Sequence, residues 1–161
     1  MKRVIVIGSP GSGKSTFSRK LSDKTGLALY HLDNIWHLPD RTTLTREAFD
    51  EKLFAILATE SWIIDGNYSR TLEIRLKYCD TVFLLDYPVE VCLGGAYARL
   101  GKEREDIPWS ENELEEKFRQ FIEDFPKAKL PGIYKLLEQY GDGKEIHVFH
   151  SREEAERYLE G

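Results

Sequence analysis

The chain has 161 residues, a formal net charge of −5, 41% hydrophobic residues and 32% charged residues. This balance is typical of one soluble globular domain, and no apolar run approaches the ~20 residues that a membrane-spanning helix needs. The acidic balance argues against direct nucleic-acid binding. Cys79 and Cys92 are far apart and form no CxxC pair, which favours reduced thiols in a cytoplasmic protein.

Strand and helix patterns alternate along the chain. Continuous apolar runs predict strands at residues 4–7, 28–32, 62–65, 81–86 and 145–149. Apolar stripes and capping residues predict helices at about 15–25, 46–59, 71–78, 89–100, 110–126, 132–140 and from 151 onward. This order predicts an α/β fold, a five-stranded parallel sheet flanked by helices in three layers, with residues 1–161 forming a single domain.

A glycine-rich turn, GSPGSGKS, follows the first predicted strand and fits the phosphate-loop pattern G-x-x-x-x-G-K-[ST]. Its backbone N–H groups and the positive end of the next helix would face phosphate oxygens. Lys14 would reach the β- and γ-phosphates, and the Ser15 hydroxyl would ligate Mg²⁺. A plain strand-to-helix turn is the alternative, but the motif's context favours phosphate binding. The predicted ATP-binding residues are Gly8, Ser9, Pro10, Gly11, Ser12, Gly13, Lys14, Ser15 and Thr16.

Three predicted strands end on or just before an aspartate: Asp33, Asp65 and Asp86. Ligands of open α/β sheets bind beyond the carboxyl ends of the strands. Asp65 or Asp33 would therefore hold Mg²⁺ or orient an attacking hydroxyl, and Asp65 joins Ser15 as the predicted metal pair. Asp86 precedes Tyr87-Pro88 and has the pattern of a helix-entry turn.

The surroundings of these acids suggest a site for a phosphoryl acceptor. Trp36 would supply an apolar wall beside Asp33, and the segment that follows Asp65 would expose its backbone to a ligand. Arg70 and Arg75 could grip an anionic acceptor, although Arg75 could instead lie on the outer face of its helix. The predicted acceptor-binding residues are Asp33, Trp36, Gly66, Asn67, Tyr68, Arg70 and Arg75. Zinc binding by His31 and His37 with Asp33 is not expected, because their spacing fits no zinc pattern.

A polar, charged segment at residues 99–110 predicts a lid that would bring Arg99 and Arg104 over the phosphates and exclude water. A solvated loop with internal charge pairing is the alternative, since acidic residues are interleaved with the basic ones.

A family resemblance is carried by five segments: VIVIGSPGSGKSTFSRKL, YHLDNIW, WIIDGNYSRTLEIRL, DTVFLLDYP and EDFPK. They resemble the bacterial DNA topology modulation (FlaR-type) proteins, small P-loop proteins related to adenylate kinase. The resemblance implies a nucleoside-monophosphate-kinase-like core, ATP with Mg²⁺, an acceptor site near Asp33 and Asp65, and an arginine-bearing lid. It also implies that Ser151 and Arg152 pack against adenine. The chain departs from the family at 94–95, where two glycines stand near a position that carries an arginine in the family.

The sequence as a whole predicts an ATP-dependent kinase of a small acceptor, a nucleotide or another metabolite. The alternative is an ATP-binding or ATPase regulatory module that acts through a protein or DNA partner. A GTPase switch is not expected, because the sequence lacks an N-K-x-D guanine motif. The identity of the acceptor, the choice of ATP over GTP and the oligomeric state are left open at this point.

Overall fold

The computed structural model describes residues 1–101 and 115–161. Its strands are β1 (Arg3–Gly8), β2 (Leu29–His31), β3 (Trp62–Asp65), β4 (Thr81–Leu85) and β5 (Glu145–Phe149). Its helices are α1 (Lys14–Thr25), α2 (Leu32–Trp36), α3 (Arg46–Leu57), α4 (Ser69–Tyr78), α5 (Val89–Ala98), α6 (Glu116–Ala128), α7 (Leu130–Tyr140) and α8 (Arg152–Glu160).

The strands form one parallel sheet in the order β2-β3-β1-β4-β5. This confirms the predicted five-stranded parallel sheet flanked by helices. β1 lies in the centre, between β3 and β4, so the turn that leaves it emerges in the middle of the sheet edge. In such folds ligands bind beyond the carboxyl ends of the strands, where the chain changes direction across the sheet.

The two faces of the sheet are covered by different helices because side chains alternate along each strand. Ile5 and Ile7 of β1 point into a core shared with α3, α4, α6 and α7. Val4 and Val6 point to the opposite face, where α1, α5 and α8 contribute most of the apolar partners. All four residues are fully buried, and each such side chain stabilises the fold by roughly 1.5–3 kcal/mol.

The second strand is shorter than the sequence pattern suggests. Residues 28–32 were expected to be one strand, but β2 ends at His31 and Leu32 begins the short helix α2. Asp33 therefore lies in the first turn of α2 and does not end a strand, which corrects the expectation. An acidic residue in the first turn of a helix interacts favourably with the positive end of the helix.

Helix boundaries largely follow the capping signals. The Thr45 hydroxyl accepts a hydrogen bond from the Ala48 N–H at the start of α3, and the Ser151 hydroxyl accepts one from the Glu154 N–H at the start of α8. Pro126 does not end α6, which continues to Ala128. The expected start of that helix at residue 110 lies outside the described residues. None of the helices in the described parts of the chain is both long and apolar enough to cross a bilayer.

Candidate active site

The glycine-rich turn joins the end of β1 to α1 at the centre of the sheet edge. Gly13 is the N-cap of α1 with φ 94°, and no side chain caps the helix. The first turn of α1 also contains no acidic residue. Lys14 Nζ donates to the Ser9 carbonyl across the turn at 3.4 Å. The turn thus combines a lysine with an N-terminal helix end that lacks a side-chain cap, the combination that suits a phosphate group.

A buried hydroxyl inside the turn also fits an anion. Ser12 is 2% exposed, and its Oγ has no hydrogen-bond partner among the described residues. A buried hydroxyl without a partner is costly, so such groups commonly mark a place where a ligand or water completes the bonding. Ser15, which follows Lys14 in the sequence, is half-buried, and Thr16 is exposed. These residues fit the phosphates of ATP, and the Ser15 hydroxyl is the type of oxygen ligand that Mg²⁺ accepts.

The turn rests on the backbone of α5. A Cβ at Gly11 would lie 1.9 Å from the Cys92 carbonyl oxygen, and one at Gly95 would lie 2.0 Å from the Gly11 carbonyl oxygen. Arg152 Nη2 donates to that same Gly11 oxygen at 3.2 Å. Side chains at positions 11 and 95 would therefore force the turn and α5 apart. The close contact gives a physical reason for glycine at position 95.

Two neighbouring glycines of α5 provide a matched test of this contact. Gly95→Ala is expected to lower the free energy of unfolding by roughly 1–3 kcal/mol, because the added methyl group overpacks the contact with Gly11. Gly94→Ala is expected to raise it by up to ~1 kcal/mol, since a Cβ there meets nothing within 4 Å and alanine favours helix. Urea denaturation of both variants checks the difference. Equal effects of the two substitutions would show that the turn does not depend on this contact.

A second loop, residues 65–68, lies beside the phosphate-loop turn. The Gly8 N–H donates to Asn67 Oδ1 at 3.1 Å, and Asn67 Nδ2 donates to the Gly8 carbonyl at 2.7 Å. The Gly66 N–H donates to the Val6 carbonyl at 3.1 Å. These bonds fix the second loop to Gly8, the first residue of the turn, and to Val6 of β1. The Asn67 side chain, expected to contact an acceptor, is therefore occupied in joining the two loops.

Asp65 is held by a partner that the sequence analysis did not identify. Its Oδ2 lies 2.6 Å from His31 Nδ1, and the two side chains are 5% and 10% exposed. A buried carboxylate needs such a partner, because leaving its charge unpaired is costly. The pairing follows from the register of β2 on β3, which places His31 opposite Asp65. Only the strand order could have revealed it, since the two residues are far apart in sequence.

Asp33 and the aromatic residues form the other side of the same region. The Tyr68 hydroxyl donates a hydrogen bond to Asp33 Oδ1. The Trp36 ring lies 6.5 Å from the Tyr68 ring, centroid to centroid. The structure thus brings Asp33, Trp36 and Tyr68 together, as the sequence suggested. Asp86 lies on the other side of the phosphate-loop turn, directly after β4, where its Oδ2 accepts a hydrogen bond from the Tyr134 hydroxyl of α7 at 2.5 Å.

The two arginines after the second loop differ in their surroundings. Arg75 is completely buried, and its guanidinium donates to the carbonyl oxygens of Gly66, Asn67 and Tyr68. Burial lowers the pKa of Arg75 to about 10, so it stays charged at neutral pH. The sequence suggested that Arg75 binds an acceptor or lies on the outer face of its helix, and both predictions are wrong. The side chain is buried, and it holds the second loop by hydrogen bonds to the backbone carbonyls of that loop. Arg70 is partly exposed and forms a bidentate salt bridge with Asp50, with N–O distances of 2.8 and 3.1 Å.

The remaining predicted site residues lie at the edges of this region. Arg99 is half-buried at the C-terminal end of α5, while Arg104 and most of the predicted lid lie outside the described residues. Ser151 caps α8, and Arg152 lies against the phosphate-loop turn. Cys79 and Cys92 are buried and unpaired with each other, and burial raises the pKa of both thiols.

No family model matches the chain, and no curated protein matches it. Among solved structures it is similar to a sugar kinase from Janibacter sp. HTCC2649, with 21% identity, 99% of this chain and 91% of that chain covered, and a TM-score of 0.56. A shikimate kinase from Acinetobacter baumannii in complex with shikimate has 18% identity, coverage of 99% and 92%, and a TM-score of 0.58. A gluconokinase from Sinorhizobium meliloti 1021 has 13% identity, coverage of 99% and 87%, and a TM-score of 0.54.

These similarities extend over nearly the whole of each chain and show that the protein has the fold of small P-loop kinases. At these identities the likeness concerns the fold. The chemistry of the site depends on its own residues.

Proposed function

We propose that this protein is an ATP-dependent phosphotransferase that moves the γ-phosphoryl group of Mg·ATP to a small acceptor. The observation that carries the proposal is the pair of hydrogen bonds between Asn67 and Gly8, which fixes the second loop, with Asp65, beside the phosphate-loop turn. A donor site for phosphates and a carboxylate-bearing acceptor site are then parts of one rigid edge. The fold shared with sugar, shikimate and gluconate kinases supports the same class of reaction.

In the proposed reaction the turn binds the triphosphate. Lys14 and the uncapped end of α1 would bind its β- and γ-phosphates, and Ser12 would donate its unused hydroxyl hydrogen to a phosphate oxygen. Bound Mg²⁺ would neutralise charge on the phosphates, with Ser15 and Asp65 as the protein groups that hold it. Ser151 and Arg152 would lie near the adenine end, as the resemblance implies.

The transfer forms a bond between the acceptor oxygen and the γ-phosphorus and breaks the bond between that phosphorus and the β–γ bridging oxygen. The acceptor's hydroxyl proton passes to the carboxylate of Asp33, because Asp65 is paired with His31 and assigned to Mg²⁺, and ADP leaves. Arg99 and Arg104 keep the role expected from the sequence, stabilising charge on the transferred group. Most of the rate acceleration would come from positioning and electrostatics.

The measurement that tests this function compares ADP formation from Mg·ATP in three conditions: without acceptor, with hydroxylated small molecules, and with DNA or cell protein. A kinase gives slow ADP release alone and marked stimulation by a small molecule. Asp65→Asn is expected to keep ATP binding and to reduce the stimulated rate by about 100-fold, because it removes a group that would hold Mg²⁺. Stimulation by DNA or protein alone would instead identify an ATPase module that acts through a partner, and full activity of Asp65→Asn would contradict the assigned role.

A further inference from the structure

Three aromatic side chains form a wall beside Asp33, which we call the ring wall: Trp36 of α2, Phe49 of α3, and Tyr68 just before α4. Phe49 lies 5.6 Å from the Trp36 ring and 5.4 Å from the Tyr68 ring. Phe49 is 1% exposed and supports the other two, which are only half-buried. Part of the surface of Trp36 and Tyr68 is therefore accessible to a ligand.

The backbone of Tyr68 has an unusual conformation. Tyr68 has φ 30° and ψ 73°, a left-handed conformation that a bulky residue rarely adopts. Its carbonyl accepts hydrogen bonds from the Thr71 N–H at 2.9 Å and from Arg75 Nη2 at 3.2 Å. Strain of this kind persists where the surroundings fix it, and it clusters at ligand sites. The fold thus holds the Tyr68 hydroxyl on Asp33 at an energetic cost.

The charges around the ring wall are unfavourable for an anionic acceptor. Asp33 places a carboxylate at the ring wall, and Asp65, paired with His31, lies at the other end of the second loop. The guanidinium of Arg75 donates to loop carbonyls, and that of Arg70 is paired with Asp50. Among the residues that the structure describes at the ring wall, an anion would meet the carboxylate of Asp33 and could gain Arg70 only by breaking its pair with Asp50. An uncharged hydroxyl can instead donate directly to a carboxylate.

We infer that the phosphoryl acceptor is an uncharged alcohol that carries a planar ring, a molecule of the nucleoside type. Its ring packs on Trp36 and Tyr68, and its hydroxyl donates to Asp33, replacing the bond from Tyr68. This inference rests on the proposed phosphotransferase function and narrows it to a substrate class. It separates this protein from kinases whose acceptors are acids such as shikimate and gluconate.

Matched acceptors test the inference. ADP formation from Mg·ATP is measured with adenosine, guanosine, cytidine and thymidine, with the 5′-monophosphate of each, and with shikimate and gluconate. At least one nucleoside is expected to give a kcat/KM ten or more times that of its own monophosphate and of both acids. A preference for a monophosphate or an acid would overturn the inference while leaving the kinase function intact. If Mg·ATP raises the melting temperature but no nucleoside increases ADP formation, the inference is overturned too. If Mg·ATP does not raise the melting temperature, the kinase function itself is contradicted.

Substitutions at two positions, Trp36 and Asp50, test the ring wall and the charges separately. Trp36→Leu is expected to raise the KM for the nucleoside about tenfold and to leave the KM for ATP unchanged, and Trp36→Phe is expected to restore most of the loss. Asp50→Ala releases Arg70 from its pair and is expected to raise the relative kcat/KM for the monophosphate. An unchanged nucleoside KM in Trp36→Leu would contradict the packing of the acceptor ring on Trp36. An unchanged relative kcat/KM for the monophosphate in Asp50→Ala would contradict the charge argument, and this second result decides the inference if Trp36→Leu does not fold.

Discussion

Replacement of Arg75 by methionine is expected to lower the free energy of unfolding by about 2–5 kcal/mol, which corresponds to a fall in melting temperature on the order of 10 °C. Methionine keeps most of the apolar stem but removes every hydrogen bond that the guanidinium makes. The carbonyl oxygens of Gly66 and Asn67 would then lose a buried donor, and the Thr71 hydroxyl would lose the contact from Arg75 Nε at 3.2 Å. Buried carbonyl groups without partners account for the size of the effect.

Arg70 provides the control for this prediction, because it lies on the same helix but pairs with Asp50 near the surface. The Arg70 and Asp50 side chains are 43% and 31% exposed, and such pairs contribute about 0–1 kcal/mol. Arg70→Met is therefore expected to change the unfolding free energy little, as measured by urea denaturation beside Arg75→Met. If Arg75→Met unfolds at the same urea concentration as the wild type, the carbonyl groups of the second loop do not depend on this arginine.

The phosphate-loop turn was predictable from the sequence because its determinants are local. An apolar run, closely spaced glycines and Lys14 occur within a dozen residues, and the helix that follows has its own stop at Gly26. The same holds for the helix starts at Thr45 and Ser151, where a hydroxyl caps an N–H three residues away. In each case a short stretch contains both partners of the interaction.

The roles of Arg75, His31 and Gly95 could not be read from local patterns. Arg75 has a charged side chain that usually lies at the surface, and its burial depends on three carbonyls that an unusual loop turns inward. His31 meets Asp65 only because β2 pairs with β3, and periodicity does not give strand order. Gly95 is explained by its contact with the Gly11 carbonyl, 84 positions earlier in the chain.

The position of Asp33 shows how tertiary context overrides a strand pattern. The apolar run at 28–32 continues through Leu32, but the chain turns into α2 there and Leu32 packs in the core. As a result Asp33 and Trp36 lie three residues apart on a helix, where side chains at this spacing share a face. The sequence correctly associated these two residues, although it assigned Asp33 to the end of a strand.

Loss of Lys14 is expected to remove nucleotide binding while leaving the fold in place. The lysine is half-buried, and its ammonium lies within 3.4 Å of the Ser9 carbonyl, inside the turn that would surround the phosphates. Without Lys14 the turn would bind the triphosphate through backbone N–H groups and would no longer provide a positive charge beside it. Lys20 lies on the exposed side of the same helix, six residues on, so Lys20→Ala removes a lysine from α1 without touching the turn.

The most direct test of the account is the melting temperature of the wild type, Lys14→Ala and Lys20→Ala with and without Mg·ATP. At a nucleotide concentration about 100 times the Kd, binding stabilises the folded state by about 2.7 kcal/mol, or roughly 5–10 °C for a chain of this size. The account predicts this rise for the wild type and for Lys20→Ala, and none for Lys14→Ala. A wild-type melting temperature that does not change at millimolar Mg·ATP, or an equal rise in Lys14→Ala, would contradict it.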